Sequence, residues 1–444
     1  MSPVINKLLL FAIILAFSLM TQAKPRSRAL VFTHVTVIDC TGAPAKPDMT
    51  VVIIGDRIST LGKTGEVVLP KRALVVDASG KFLIPGLWDM HGHLTYATET
   101  AFPLLIMNGV TGVRDVGGNL DQIDRWRKEI TTGKRLGPHI VRAGPFVDGP
   151  KRGARGRLTV TNAAEARRAV DTLKLRGVDF IKVHNGLSRE SFFAVADEAR
   201  KQGLPLAVHL PSGFATRRGI EGVSVAEASD AGAKSLEHIE ILLESALYRK
   251  GATAKTLEEA IAENSGEAGA ALFARLKKNG TWYVPTLVAY YRGFVLWSGD
   301  PKETDGSREL HLKHLELVQA MHKAGVEIMA GSDFTDWAVV PGIDLHNELA
   351  LFVEAGFTPM EALQSATSKP AEFLGNLDSL GTIEQGKIAD LVLLDADPLE
   401  NISHTRKINS IVLGGKLVPV SEMLAKLTTR YGLADPRRQS RRKH

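Results

Sequence analysis

Phe82-Leu83-Ile84-Pro85-Gly86-Leu87-Trp88-Asp89-Met90-His91-Gly92-His93 is the stretch that decides the fold. Its apolar run reads as a strand, and two histidines two residues apart at its end point to one face of that strand. Alone, the pair fits either a metal site or a plain surface role. Four later segments decide between them: Val178-Asp179-Phe180-Ile181-Lys182, Leu204-Pro205-Leu206-Ala207-Val208-His209, Ala233-Lys234-Ser235-Leu236-Glu237-His238 and Val326-Glu327-Ile328-Met329-Ala330-Gly331-Ser332-Asp333. Each reads as a short apolar strand ending in a side chain able to bind a metal. A barrel of parallel strands brings its strand ends to one rim, where such barrels keep their chemistry.

Further strand-like runs at 109–115, 139–143 and 281–286 raise the number to eight, and helical patterns at 162–175, 189–202 and 360–366 separate several of them. This alternation predicts an α/β chain with a (β/α)8 TIM-like barrel over residues 84–377. Both ends of the chain are β-rich instead. Strand patterns at 29–32, 34–38, 51–54 and 73–77 are matched by others at 391–394, 410–413 and 416–418, with Gly414-Gly415 as a turn. A small β-sandwich domain assembled from residues 24–83 and 378–430 is therefore expected beside the barrel.

The chain has 444 residues, 44% of them hydrophobic, enough for a large core. Lys7, the apolar stretch 8–20 and Thr21-Gln22-Ala23 read as a signal peptide over 1–23, which places the protein outside the cytoplasm, periplasmic or secreted. An uncleaved anchor is the alternative, although the stretch is short for a membrane span. The formal charge of +6 is an affair of the ends: setting Lys7, Arg437, Arg438, Arg441, Arg442 and Lys443 aside from the 55 basic residues leaves 49 against 49 acidic ones. A near-neutral body argues against nucleic acid as partner, and the basic tail over 431–444 reads as solvated. The single cysteine, Cys40, excludes an intrachain disulfide and reads as a packed residue whose thiol the neighbouring Asp39 disfavours as thiolate.

These segments, taken in order with Gly386-Lys387-Ile388-Ala389-Asp390-Leu391-Val392, resemble the amidohydrolase superfamily, in particular the group around imidazolonepropionases and prolidase-like dipeptidases. The resemblance covers nearly all of the chain beyond the leader. It implies that His91 and His93 bind one metal ion and His209 and His238 a second. Asp333 would complete the first site and handle protons, and Lys182 would bridge both. An ammonium cannot bind a cation, so the bridge requires a Lys182 carbamylated by carbon dioxide; the other reading is an ion-paired lysine beside a single metal. Imidazole and carboxylate ligands suit zinc and similar divalent ions. Two such ions about 3.5 to 4 Å apart lower the pKa of a water between them and polarise a substrate carbonyl.

The implied reaction is hydrolysis of an amide, in a dipeptide or an N-acyl amino acid, with a small-molecule substrate and no stable membrane span after leader cleavage. A cyclic amide or an ester is the first alternative and a non-catalytic ligand-binding barrel the second; a homo-oligomer is left open. His184, two residues past Lys182, reads equally as a catalytic donor to the substrate carbonyl or as a packed histidine. His346 reads as structural, and Glu237 is expected to face away from His238 and pair with a neighbour. The basic run 151–157 and Arg217-Arg218 depart from the family pattern, and Arg152 and Arg217 read either as a clamp for a substrate carboxylate or as solvated loop charge.

Overall fold

A computed structural model describes residues 28–150, 156–210, 222–247, 266–297, 305–335 and 339–420. The expected leader, the basic tail, Arg152 and Arg217 lie outside them. Among the described residues no helix is long and apolar enough to cross a membrane.

Five strands come from the first part of the chain: β1 (Leu30–Val37), β2 (Lys46–Ile54), β3 (Arg57–Lys63), β4 (Leu74–Asp77) and β5 (Phe82–Pro85). The middle contributes β6 (Leu87–Gly92), β7 (Val110–Asp115), β8 (His139–Arg142), β9 (Phe146–Asp148), β10 (Arg157–Thr159), β11 (Ile181–Val183), β12 (Leu206–Val208), β13 (Ser235–Glu237) and β14 (Trp282–Val284). The last part adds β15 (Leu391–Leu394), β16 (Ile408–Leu413) and β17 (Lys416–Pro419).

The strands from the two ends form one sheet in the order β17-β16-β15-β5-β1-β2-β3, with β4 also paired to β1. A sandwich of two sheets is the sequence-based expectation, and the hydrogen bonding differs. One edge of β1 pairs with β4 along residues 30–33 and with β5 along residues 36–37, so a single sheet branches there. Both arms cover one core that holds Phe32, Val51, Leu391 and Leu393. Period-two alternation then ties this sheet to the rest of the molecule. Leu83, Leu391 and Leu393 face that core, while Ile84, Val392 and Leu394 enter the large core of the middle region. Full burial of such side chains stabilises by about 1.5–3 kcal/mol each.

The middle strands are all parallel and fall into two sheets, β10-β9-β11-β12-β13-β14 and β6-β7-β8, rather than one. The predicted strand at 326–333 is reduced to bridges at Ile328 and Phe334. Backbone bonds nevertheless join the two sheets on both sides. Tyr283 donates to Glu327 O (2.9 Å) and Met90 to Ala330 O (3.0 Å) on one side, and Asp179 donates to Arg142 O (3.0 Å) on the other. Ser332-Asp333 leaves the regular ladder because Asp333 takes a left-handed backbone (φ 57°) and donates its N–H to His91 O.

The predicted helices form with local caps. Asn162 accepts from Glu165 N at the start of Ala163–Leu175, and Ser188 caps Arg189–Lys201. Thr358 and Glu361 make a reciprocal capping box on Pro359–Ser365.

Candidate metal centre

Every middle strand that ends in a candidate ligand delivers it to one place. His91 lies at the end of β6 and His93 just beyond it; Lys182 is inside β11; His209 and His238 follow β12 and β13 directly. The His91 and His238 rings are 4.5 Å apart by centroid, His238 and His209 4.4 Å, and His209 and His184 4.8 Å. Asp333 sits beside this row, its Oδ1 3.2 Å from His93 Nε2 and 3.5 Å from His91 Nε2, its Oδ2 3.9 Å from His238 Nδ1. One ligand atom each of His91, His238 and Asp333 fall within 4.8 Å of one another.

The protonation pattern follows from the partners. His91 donates from Nδ1 to Glu237 Oε2 (2.7 Å), a carboxylate that can only accept. Burial, helped by the charge of Lys182, holds the His91 pKa well below its ordinary value, so the ring is neutral and its Nε2 carries a lone pair. That Nε2 is buried with no hydrogen-bond partner among the described residues, and so is Lys182 Nζ. Burial also pushes Lys182 down to about 8, against the pull of Glu237. His93 donates from Nδ1 to Gly117 O (3.0 Å), which turns its Nε2 to Asp333. A buried cluster of imidazole lone pairs with one carboxylate is the donor set of a divalent cation, and its two orphaned nitrogens are what such an ion or a modified lysine would satisfy.

Three of the eight non-glycine residues with positive φ among the described residues gather here. His238 (φ 73°), Thr286 (φ 48°) and Asp333 (φ 57°) all adopt the left-handed region that non-glycine residues avoid, and His238 Nδ1 lies 2.9 Å from Thr286 Oγ1. Two glycines permit the close approach of the chain behind the ligands. A Cβ on Gly92 would stand 2.2 Å from the Phe334 ring, and one on Gly331 2.7 Å from the His91 Cβ.

Glu237 corrects the alternation argument. It does pair with neighbours, accepting from Arg114 Nη2 (2.7 and 2.8 Å) and Ser235 Oγ (2.6 Å), yet it faces inward and holds His91. The strand ends at Glu237 and the left-handed turn at His238 breaks the period, so both side chains reach the centre. Sequence reasoning also passed over Arg114, Asp89 and Asp148. Arg114 and Asp89 are charges inside otherwise apolar strands, a signal that a buried partner exists. Asp89 accepts from Ser332 N (2.9 Å), Ser332 Oγ (2.5 Å) and His91 N (3.2 Å), and burial raises its pKa to about 7.

His184 stands at the rim, 3.3 Å from Asp148 Oδ2 through Nδ1 and 5.1 Å by centroid from the Phe146 ring. Arg157, the last residue of the basic run, is not solvated charge: it pairs with the fully buried Asp148. His346 is structural as expected, bonded to Thr405 Oγ1 and Asn108 O. Cys40 is buried, and its thiol is pushed up to about 12 by burial, with Asp39 adding to the shift.

Known proteins share this arrangement of chain. An imidazolonepropionase of Mesorhizobium japonicum is 24% identical over 415 residues, 80% of this chain and 87% of that protein. The matches to proteins of Nematostella vectensis and Fusobacterium nucleatum are 35% and 29% identical but span only about a quarter of those relatives, 24% and 27% of their lengths. Among solved structures, a Xaa-Pro dipeptidase with methionine bound in its active site superposes with a TM-score of 0.68 at 23% identity, covering 88% of this chain and all of the other. A molinate hydrolase gives 0.69 at 21%, covering 92% of this chain and 98% of the other. The amidohydrolase family model matches residues 82–418, which is most of the chain, and the protein belongs to that family.

Proposed function

We propose that this protein is a divalent-metal-dependent hydrolase of carbon–nitrogen bonds, acting on the amide of a dipeptide or an N-acyl amino acid. The observation that carries the reading is the neutral His91 ring, locked by Glu237 with its unpartnered Nε2 turned into a cluster of three further histidines and Asp333. His91, His93, His209, His238 and Asp333 would hold two ions, with Lys182 between them. Lys182 suits a carbamate because a pKa near 8 leaves a usable fraction of free amine at neutral pH; its nitrogen attacks carbon dioxide, loses a proton and becomes a carboxylate-tipped ligand. The seams between the two parallel sheets support a closed (β/α)8 barrel as the frame.

Bound ions of this kind lower the pKa of water and polarise a carbonyl. Asp333, with a quarter of its side chain exposed toward solvent, accepts the proton of the attacking water at a carboxylate oxygen and returns it to the departing amine nitrogen. His184 at the rim donates to the substrate carbonyl oxygen. Water adds to the carbonyl carbon, the carbon–nitrogen bond breaks, and an acid and an amine leave.

Metal content of the purified chain, measured beside a Lys182→Ala variant and a screen of dipeptides and N-acyl amino acids, tests this. About two ions per chain, lost with hydrolysis in the variant, is the expected result. A metal-free chain, or one that hydrolyses none of these amides when loaded with zinc, overturns it.

A further inference from the structure

The strands that carry the candidate ligands have a second, opposite end. Asp179, Phe180, Pro205 and Lys234 all precede their strands, whereas His209 and His238 follow theirs. A cavity of about 230 Å³ opens at this other end, with Arg114, Ala207 and Ser235 in its buried part and Phe180 and Phe373 as walls. It shares no residue with the histidine cluster.

Its charges are unbalanced. Asp179 at the mouth is already taken by Arg127 (3.1 Å) and Arg142 (3.2 Å), and Arg114 by Glu237. Lys234 makes no ion pair among the described residues; its Nζ rests instead over the rings of Trp282 (5.9 Å) and Phe373 (5.5 Å). The Arg114 guanidinium lies 5.4 Å from the Phe180 ring and 5.3 Å from the Phe373 ring, so the lining is aromatic with two cations set against it. A hollow of this size is below the ~300 Å³ at which drug-sized ligands begin to fit. It suits one ring and one anionic group.

We propose that this cavity is a binding site for a small aromatic monocarboxylate, its ring in the hollow lined by Ala207, Phe180 and Phe373 and its carboxylate on Lys234. The bound anion replaces the weak contact of the ammonium with the ring faces by a charge-assisted hydrogen bond. The site stands apart from the metal centre and does not depend on the reaction catalysed there.

Calorimetric titration of the full, metal-loaded chain with benzoate tests it, with benzyl alcohol as the uncharged comparison. Saturable 1:1 binding is expected. Lys234→Met should weaken it about tenfold or more, the loss of one hydrogen bond to a charged group. Ala207→Leu, which fills the hollow and leaves Lys234 in place, should abolish it. Far-UV circular dichroism and melting confirm that both variants fold. Benzoate binding that survives both substitutions belongs elsewhere in the protein and overturns the proposal, as does benzyl alcohol binding as tightly as benzoate or no benzoate binding up to millimolar concentration.

Discussion

Two polar interiors lie side by side in the middle of this molecule, and they differ in one respect. In the first, Arg114, Glu237, Ser235, Asp89 and Ser332 are buried and fully paired; Arg114 alone donates to Met90 O, Ser235 Oγ and both oxygens of Glu237. In the second, His91 Nε2 and Lys182 Nζ are equally buried and have no hydrogen-bond partner among the described residues. A buried polar atom left without a partner costs about 1–3 kcal/mol. Thr111 Oγ1 and His314 Nε2 are buried without a hydrogen-bond partner among the described residues too, but His91 Nε2 differs from them in facing Asp333 amid the rings of His93 and His238. On the proposed function, the paired interior is scaffold and the unpaired one is the site. They meet at His91, which spends Nδ1 on the scaffold and keeps Nε2 for the site.

If this division holds, substitutions on the two sides separate activity from stability. The largest effect belongs to the site. Asp333→Asn keeps the shape of the side chain and removes the proton acceptor, so turnover should fall about 10²- to 10⁴-fold while much of the metal is retained. Steady-state rates and metal analysis on one preparation decide it, and near-normal turnover refutes the assigned role. On the scaffold side, Arg114→Met leaves the Glu237 charge buried without its guanidinium. Loss of one partner of a buried pair costs about 3–5 kcal/mol, which urea unfolding would register, whereas a change below about 1 kcal/mol would show that Glu237 has other support.

Ser332→Ala tests the border. Its hydroxyl donates to Asp89 at 2.5 Å, and its neighbour Asp333 holds a left-handed backbone. Leaving a buried acceptor without its donor costs about 1–3 kcal/mol. Because Asp333 would be held less firmly, kcat should drop with little change in KM. Stability lost with kcat intact would make Asp89 and Ser332 pure scaffold.

How far the sequence carried follows the same line. The residues that gather at the candidate centre were legible because strand ends advertise themselves: an apolar run that stops at His, Lys or Asp is readable at 88–93, 178–182, 204–209, 233–238 and 326–333. The strands behind the first four of those ends were legible too, down to the three-residue β11, β12 and β13, whereas the one expected at 326–333 is reduced to isolated bridges. Glu237 was misread because period-two alternation presumes a continuing strand, and the left-handed turn at His238 ends it one residue early. The β-sandwich was misread for a different reason. Alternating residues show that strands have two faces, and nothing in them shows that β1 shares one edge between β4 and β5. Asp89 and Arg114 were passed over because a lone charge in a strand says that a partner exists without saying which. Their partners lie 243 and 123 residues away.

The smallest expected effect lies where a satisfied pair reaches the surface. His139, at the start of β8, bonds through Nε2 to Asp390 Oδ2 (2.7 Å), just before β15, and so ties the parallel strands to the branched sheet. Its hydrogen bond to Asp390 raises the histidine pKa. A raised folded-state value means that the charged ring is favoured by folding. The contribution is therefore complete below the unfolded pKa of about 6.5 and is lost as pH climbs through the folded value. With 47% of the His139 side chain exposed, water screens the pair and keeps its worth below about 1 kcal/mol. The stability difference between the parent chain and His139→Gln should accordingly be larger at pH 5.5 than at pH 8.5, measured by urea unfolding at both. A difference independent of pH would mean that His139 acts through its stacking on Trp88, 6.4 Å away by centroid, and that the junction of the two sheets is held by packing rather than by charge.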